Sequence, residues 1–210
     1  QYLSVQSLGK YKRLGTTIDD ALGEAFDKTA KLLGIEFPGG PIIEKWAKKG
    51  DEKFFILPKP ILKRGGCNLS FAGLKTAVLR VSKKIKKKKE KYHLAASFQK
   101  TINEILYEKT KVAMEMFLKN KNNNNNTFVI AGGVASNLSI RENLDKLSKE
   151  KNFEPIFPPT NLCSDNAAMI AWAGIERFNI NLIDNLEILS RARWPLDSNA
   201  PFMKGAGLKL

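Results

Sequence analysis

The sequence has 210 residues, enough for one large domain or two small ones, and its 43% hydrophobic and 27% charged content is that of an ordinary globular protein. No apolar run reaches the roughly 18 residues needed to cross a bilayer, and Gln1-Tyr-Leu-Ser-Val5 has neither the basic nor the apolar region of a signal peptide. The net charge of +14, from 35 Lys and Arg against 21 Asp and Glu, points to polyanionic partners, nucleic acid first.

Gln1 to Val5 alternates and reads as a strand end. Gly9 to Gly15 reads as a turn and a second short strand. Thr16-Thr-Ile-Asp19-Asp20 supplies cap candidates for a helix from about Asp19 to Leu33, with Ala21, Leu22, Ala25, Phe26, Ala30 and Leu33 on one side and Gly34 as its C-cap. Phe37-Pro-Gly-Gly-Pro41 is a rigid turn in which Pro41 can open the next helix, Ile42 to Lys49. Phe54 to Lys59 reads as an edge strand or extended loop. A helix opening near Ser70 is expected to run into Lys83-Lys-Ile-Lys-Lys-Lys-Lys-Glu-Lys91, seven lysines in nine residues. This run is either a solvated face, reflecting compositional bias, or a contact for RNA. A long amphipathic helix follows from about His93 to Lys119. His93, the only histidine, is read as a cap or surface residue without a catalytic role. The Asn122 to Asn126 run reads as a mobile loop.

The chain is organised around Thr127 to Asn137. Phe128 to Ala131 reads as a buried strand, Gly132-Gly133 breaks it, and Ser136 and Asn137 are cap candidates for a helix from Leu138 to Lys149. Glycines let a ligand approach the backbone, and the free N–H groups of a helix start favour a phosphate or another polar ligand. The alternative is an ordinary strand-to-helix turn. Glu154 to Phe157 reads as a second strand. Ser164 is the expected N-cap of an apolar helix from Ala167 to Ile175, with Asp165 in its first turn either capping or holding a cation. The tail from Arg191 is expected to fray. Cys67 and Cys163 are far apart and lack metal-type spacing, so free thiols in a reducing compartment, the cytoplasm, are expected. Strands alternating with helices at the end and a helical middle predict an α/β layered domain with a helical insertion.

Six motifs occur in one order: Thr17-Ile-Asp-Asp-Ala-Leu-Gly-Glu-Ala-Phe-Asp27-Lys, Phe37-Pro-Gly-Gly-Pro41, Ser70-Phe-Ala-Gly-Leu-Lys-Thr76, Ala131-Gly-Gly-Val-Ala-Ser-Asn137, Cys163-Ser-Asp-Asn-Ala-Ala-Met-Ile-Ala171 and Ala192-Arg-Trp-Pro195. Together they closely resemble the tRNA N6-adenosine threonylcarbamoyltransferase family, the TsaD family of bacteria, from Gln1 to about Leu196. The resemblance implies the actin-like ATPase fold shared with sugar kinases and Hsp70, here its C-terminal lobe. Residues 41–126 would be a mostly helical insertion and 127–196 the strand-helix core. It implies transfer of a threonylcarbamoyl group from threonylcarbamoyl-AMP to N6 of adenosine 37 in tRNAs that read codons beginning with A. Asp27, Gly40 and Asn137 match the positions that hold the adenylate, and Glu44 is a weaker candidate for the same pocket. Asp165 matches the family's metal-ligand aspartate, the metal being a divalent ion, iron or else zinc. Partner proteins of the threonylcarbamoyladenosine pathway, including a paralogue of the same fold, are implied, and no membrane.

The family's His-x-x-x-His pair and Ser-Gly-Gly-His-Thr loop do not occur here, so the chain is expected to be the C-terminal part of the enzyme and inactive alone. The second reading is a catalytically incomplete nucleotide- or RNA-binding fragment. A sugar kinase of the same fold would lack the Ser70 and Cys163 motifs, and a metalloprotease would need a His-Glu-x-x-His site that is absent.

Overall fold

A computed structural model describes residues 1–120, 125–190 and 194–201. The expectations for Asn122 to Asn124, for Arg191 to Arg193 and for the tail from residue 202 lie outside the described residues.

The chain opens with a hairpin. Strand β1 (Tyr2–Ser7) pairs antiparallel with β2 (Lys10–Gly15), and Gly9 at φ 77° supplies the left-handed residue of the tight turn. Helix α1 (Leu22–Leu33) starts three residues later than its cap candidates suggest, and its N-cap residue Ala21 offers no side-chain cap. The two aspartates act elsewhere. Asp19 accepts the N–H of Phe71 at 2.7 Å and of Ala72 at 3.3 Å, and also the Ser70 hydroxyl. It thereby caps helix α3 (Ala72–Ser82) from a distant part of the chain. Asp20, only 6% exposed, pairs with Lys75 at 2.7 Å and Lys28 at 3.4 Å.

Burial alone would raise the Asp20 carboxyl. The Lys75 hydrogen bond and the charges of Lys75 and Lys28 outweigh it and hold the group below the usual carboxylate range. A depressed folded pKa gives stability that is complete above the unfolded value, about 3.9, and is lost as pH falls through the folded value. Asp20→Asn is therefore expected to cost about 1–2 kcal/mol in urea unfolding at pH 7, modest because both lysines are part-exposed. The difference from the parent should shrink steadily below about pH 4. An undiminished difference at pH 2.5 would show that the carboxylate charge is not what stabilises this corner.

Gly34 ends α1 in the left-handed conformation, its N–H meeting the carbonyls of Ala30 and Lys31. Helix α2 (Gly39–Ala47) begins three residues before Ile42, and Pro41 sits in its first turn, where a missing N–H costs nothing. Residues 54–59 form no strand. His93 accepts the Asp51 N–H at 2.8 Å and stacks on Phe54, a structural placement. α3 stops at Ser82, just before the lysines, and helix α4 (Lys88–Asn120) begins within them.

α4 has 33 residues, about 50 Å of helix, and packs on α2, α3, the hairpin and helix α5 (Leu138–Glu150). Its Leu94, Phe98, Ile102 and Ile105 are fully buried and belong to one core with Phe26, Leu33, Ile43, Leu74, Val78, Ile140, Leu144 and Leu147. Strand β3 (Thr127–Val129) pairs parallel with β4 (Glu154–Ile156) through the α5 crossover, Thr127 opposite Glu154. Among the described residues the strands form two separate two-stranded sheets, and a cavity of about 450 Å³ lies between residues of β1 and β3. The architecture is α/β.

Helix α6 (Ala167–Asn179) is longer than the Ala167–Ile175 segment expected, and buries none of its residues: Ile170, Trp172 and Phe178 are each about two-thirds exposed. Both cysteines are free and buried. No helix among the described residues is long and apolar enough to cross a membrane.

Candidate functional site

The strand-turn-helix stretch does not place a bare helix end at the surface. Gly132, at φ 90°, turns the chain out of β3 in a conformation that favours glycine, and Gly133–Ser136 makes one 3₁₀ turn before α5 begins. The first donors of α5 are already taken. Leu138 and Ser139 donate to the Glu44 carboxylate at 3.0 and 3.4 Å, and Ile140 donates to Asn137 Oδ1 at 3.0 Å. The free N–H groups expected at this helix start are thus satisfied by a carboxylate from α2 and by the cap. Those of Gly133 and Val134, one turn upstream, have no partner among the described residues.

Around this turn lies a cleft of about 870 Å³, within the range of small-molecule sites. α1 contributes Gly23, Phe26 and Asp27, the α2 start contributes Phe37, Gly40 and Glu44, the glycine turn contributes Gly133, Val134 and Asn137, and the segment before α6 contributes Thr160, Cys163 and Ser164. Asp27, Gly40, Glu44 and Asn137, separated by up to 110 positions in sequence, converge on this one cleft.

Each is held by a specific contact. Asp27 is half-buried on α1. Its Oδ1 accepts the Gly39 N–H at 3.1 Å, and Oδ2 has no partner among the described residues. Gly39 makes this possible because its Cα lies against α1: a Cβ there would stand 2.2 Å from Ala30 Cβ. Gly40, the next residue, faces the open cleft, and a Cβ on it would meet nothing within 4 Å. Asn137 is 7% exposed and donates through Nδ2 to Gln99 Oε1 at 2.8 Å while its Oδ1 caps α5. Gln99 in turn donates to Asn103 at 3.0 Å, and Asn103 donates to Ser139 at 2.8 Å, so a polar network ties α4 to the wall of the cleft.

Sequence reading missed two supports of the site. Gln99 was hidden in the apolar pattern of α4. Arg141 donates through Nε to Ala135 O, and through Nη2 to Pro158 O at 2.7 Å and to Cys163 Sγ at 3.2 Å, with its guanidinium over the Phe157 ring at 5.4 Å. It clamps the far wall of the cleft. Its signal was visible: a cation in the first turn of a helix opposes the dipole and implies other partners.

No Lys or Arg lines the cleft, whereas Asp27 and Glu44 do, beside the apolar Phe26, Phe37 and Val134. Carboxylates over an apolar floor suit a ligand with hydroxyl or amino donors and a flat apolar body. The unpartnered N–H groups of Gly133 and Val134 suit an acceptor.

The structure leaves Asp165 outside this set. Asn166, not Ser164, is the N-cap of α6, accepting the Met169 N–H at 2.9 Å. An amide three residues before Met169 has the reach that Ser164 lacks, so Asp165 precedes the cap, outside the first turn, and is exposed. Among the described residues no three His, Cys, Asp or Glu side chains cluster as metal ligands. One carboxylate is not a metal-binding donor set, and these residues do not fit a metal ion by themselves.

Residues 1–172 match the family described as TsaD, tRNA N6-adenosine threonylcarbamoyltransferase. The chain belongs to the TsaD family. Curated relatives that bear the name tRNA N6-adenosine threonylcarbamoyltransferase include that of Pelagibacter ubique, 66% identical over 210 residues, covering 100% of this chain and 59% of the relative. That of Zymomonas mobilis is 50% identical over 100% of this chain and 57% of the relative. That of Rhodospirillum rubrum is 46% identical over 99% and 58%. The TsaD chain described here thus spans somewhat under three-fifths of the length of the curated relatives it matches.

Proposed function

We propose that this chain forms the adenylate-binding part of an enzyme that transfers the threonylcarbamoyl group of threonylcarbamoyl-AMP to N6 of adenosine 37 in tRNAs reading codons that begin with A. One observation carries the reading. The three residues that the resemblance assigns to the adenylate, Asp27, Gly40 and Asn137, line a single cleft of suitable size, and family membership gives that cleft its chemistry. In this reading the free oxygen of Asp27 accepts a ribose hydroxyl or an amino group. Gly40 leaves room for the ligand at the α2 start, Asn137 holds the wall beside it through its bonds to Ile140 and Gln99, and Phe26 and Val134 support the base. The contribution is orientation: two reactants held in line lose their translational freedom before the acyl transfer. Glu44 fixes the α5 start and so keeps the glycine turn in place.

The fold we assign is the actin-like ATPase type, this chain being its C-terminal lobe, with residues 41–126 as the helical insertion and 127–196 as the core. Asp165 would supply one oxygen ligand to a divalent metal ion, iron before zinc, whose remaining ligands come from outside the chain. The enzyme would work in the cytoplasm on tRNA, with partner proteins of the threonylcarbamoyladenosine pathway, a paralogue of the same fold among them. The lone metal-type carboxylate favours a second statement: by itself the chain binds nucleotide without modifying tRNA.

Titration calorimetry with AMP tests the binding half. Measurable binding by the chain, weakened at least tenfold in Asp27→Ala, is expected. Binding that is absent, or indifferent to Asp27→Ala, overturns the assignment of the cleft. Mass spectrometry of nucleosides from tRNA incubated with the chain and threonylcarbamoyl-AMP tests the other half, and detection of the modified adenosine would refute the statement that the chain alone is inactive.

A further inference from the structure

The lysine run is not a loose tail. α3 ends at Ser82, and the five residues before α4 form a turn with its own hydrogen bonds: Lys84 N–H to Val81 O at 2.9 Å and Ile85 N–H to Ser82 O at 3.3 Å. Ile85 packs against the core and anchors the turn from within. The single acid of the run, Glu90, turns back and accepts the backbone N–H groups of Lys86 at 2.9 Å and Lys87 at 2.8 Å. These donors, with the nearby lysine and histidine charges, hold Glu90 below the usual carboxylate range. Its charge is therefore used on the backbone and not on a lysine side chain.

Lys91 leaves the cluster too, donating through Nζ to Leu33 O at 2.8 Å. Six ammonium groups remain, on Lys83, Lys84, Lys86, Lys87, Lys88 and Lys89, all exposed, and none forms an ion pair among the described residues. Many surface lysines elsewhere are paired: Lys28, Lys59, Lys75, Lys100, Lys149 and Lys151 all reach a carboxylate. Six like charges on this turn and the first residues of α4 repel one another, and a polyanion relieves that repulsion while releasing its own counterions.

The turn also has a defined relation to the cleft. The Lys91 contact places the start of α4 at Leu33, the C-terminal end of α1, and Asp27 of the cleft lies on the same helix. Six residues of α-helix separate Asp27 from Leu33, about 9 Å along the axis.

We propose that the turn Lys83–Lys89 and the first residues of α4 form a docking surface for the phosphate backbone of the RNA that receives the group bound in the cleft. It rests on the reading above only for the identity of that RNA, tRNA. The surface reads charge and not sequence, so it sets affinity and not the choice of nucleotide.

The test is binding of an unmodified tRNA transcript to the 210-residue chain, by fluorescence anisotropy across a salt series. Two variants are compared with the parent: one with Lys83, Lys84, Lys86, Lys87, Lys88 and Lys89 changed to Gln, and a control with Lys10, Lys12, Lys48, Lys53, Lys63 and Lys119 changed to Gln. Both lose the same charge. The turn variant is expected to bind at least tenfold more weakly at 0.1 M salt, and the slope of log affinity against log salt should flatten by about 0.9 for each phosphate that the turn no longer neutralises. The control should bind within twofold of the parent, and both should keep the parent's circular dichroism. Equal loss in the two variants would reduce the effect to net charge and overturn the proposal, as would a turn variant that binds like the parent. AMP binding by the turn variant is expected to be unchanged. If the parent itself fails to bind AMP, the cleft assignment falls while the RNA result still decides the turn.

Discussion

Gly39→Ala is expected to cost about 3 kcal/mol or more, lowering the thermal midpoint by about 6–12 °C for a chain of this length. The added methyl would stand 2.2 Å from Ala30 Cβ and 3.4 Å from Asp27 Cα, so α1 and α2 must separate. The clash is with Ala30 Cβ, which is fixed to its own helix and cannot swing away, so the strain has no easy outlet. The same movement breaks the Gly39 N–H bond to Asp27 Oδ1 and misplaces the carboxylate, so AMP affinity should fall with stability. Gly40→Ala is the informative contrast. Its Cβ meets nothing in the protein, and alanine is the better helix residue, so stability should hold or rise by up to about 0.5–1 kcal/mol. Yet that methyl enters the cleft, and AMP binding should drop. Calorimetric melting and AMP titration of the pair check both. If the two variants lose stability equally, the close approach of α1 and α2 is not the constraint described.

Asn137→Ala is expected to destabilise by about 2–3 kcal/mol, read from urea unfolding. About one of these is the lost cap on Ile140 N–H, and the rest comes from Gln99 Oε1, left without its donor in a buried setting. Gln99 cannot simply turn over, because its Nε2 is engaged with Asn103. Asn137→Asp keeps an oxygen for the cap but sets a carboxylate oxygen against Gln99 Oε1. It should recover only part of the loss, and less at pH 7 than at pH 4, where the carboxyl begins to gain a proton. Full recovery by Asp at pH 7 would mean that the cap matters and the Gln99 bond does not.

Local patterns were readable where partner and signal share a short stretch. Phe128 to Asn137 announced a strand, a break and a cap, although the strand is Thr127–Val129 and is not buried, Val129 being 57% exposed where no further strand covers it among the described residues, and the Gly34 stop needed only its own helix. The site was legible as a set of residues, through motifs, without its geometry. What escaped reading depends on partners far away in sequence. Asp19 looks like the cap of the helix beside it, yet Ser70, Phe71 and Ala72 claim its oxygens. Ser164 and Asn166 both qualify as caps by type, and one hydrogen bond to Met169 decides between them. The α5 N-terminus looked free because nothing near it reveals Glu44, 94 positions upstream of Leu138. The lysine run looked like helix because lysine favours helices, and its break reflects the anchoring of Ile85 and the backward reach of Glu90.

The two small sheets carry a consequence for behaviour in concentrated solution. β1 pairs only with β2 and β3 only with β4 among the described residues, so each strand keeps one side without a ladder partner there. Such rows of N–H and C=O groups are templates for another chain, and neither sheet gains the stability that a third strand brings. Two copies meeting edge to edge would satisfy with each other what each leaves open alone. Were copies to pair in this way, the chain's apparent stability would rise with its concentration, and thermal melting over a range of concentrations would show it.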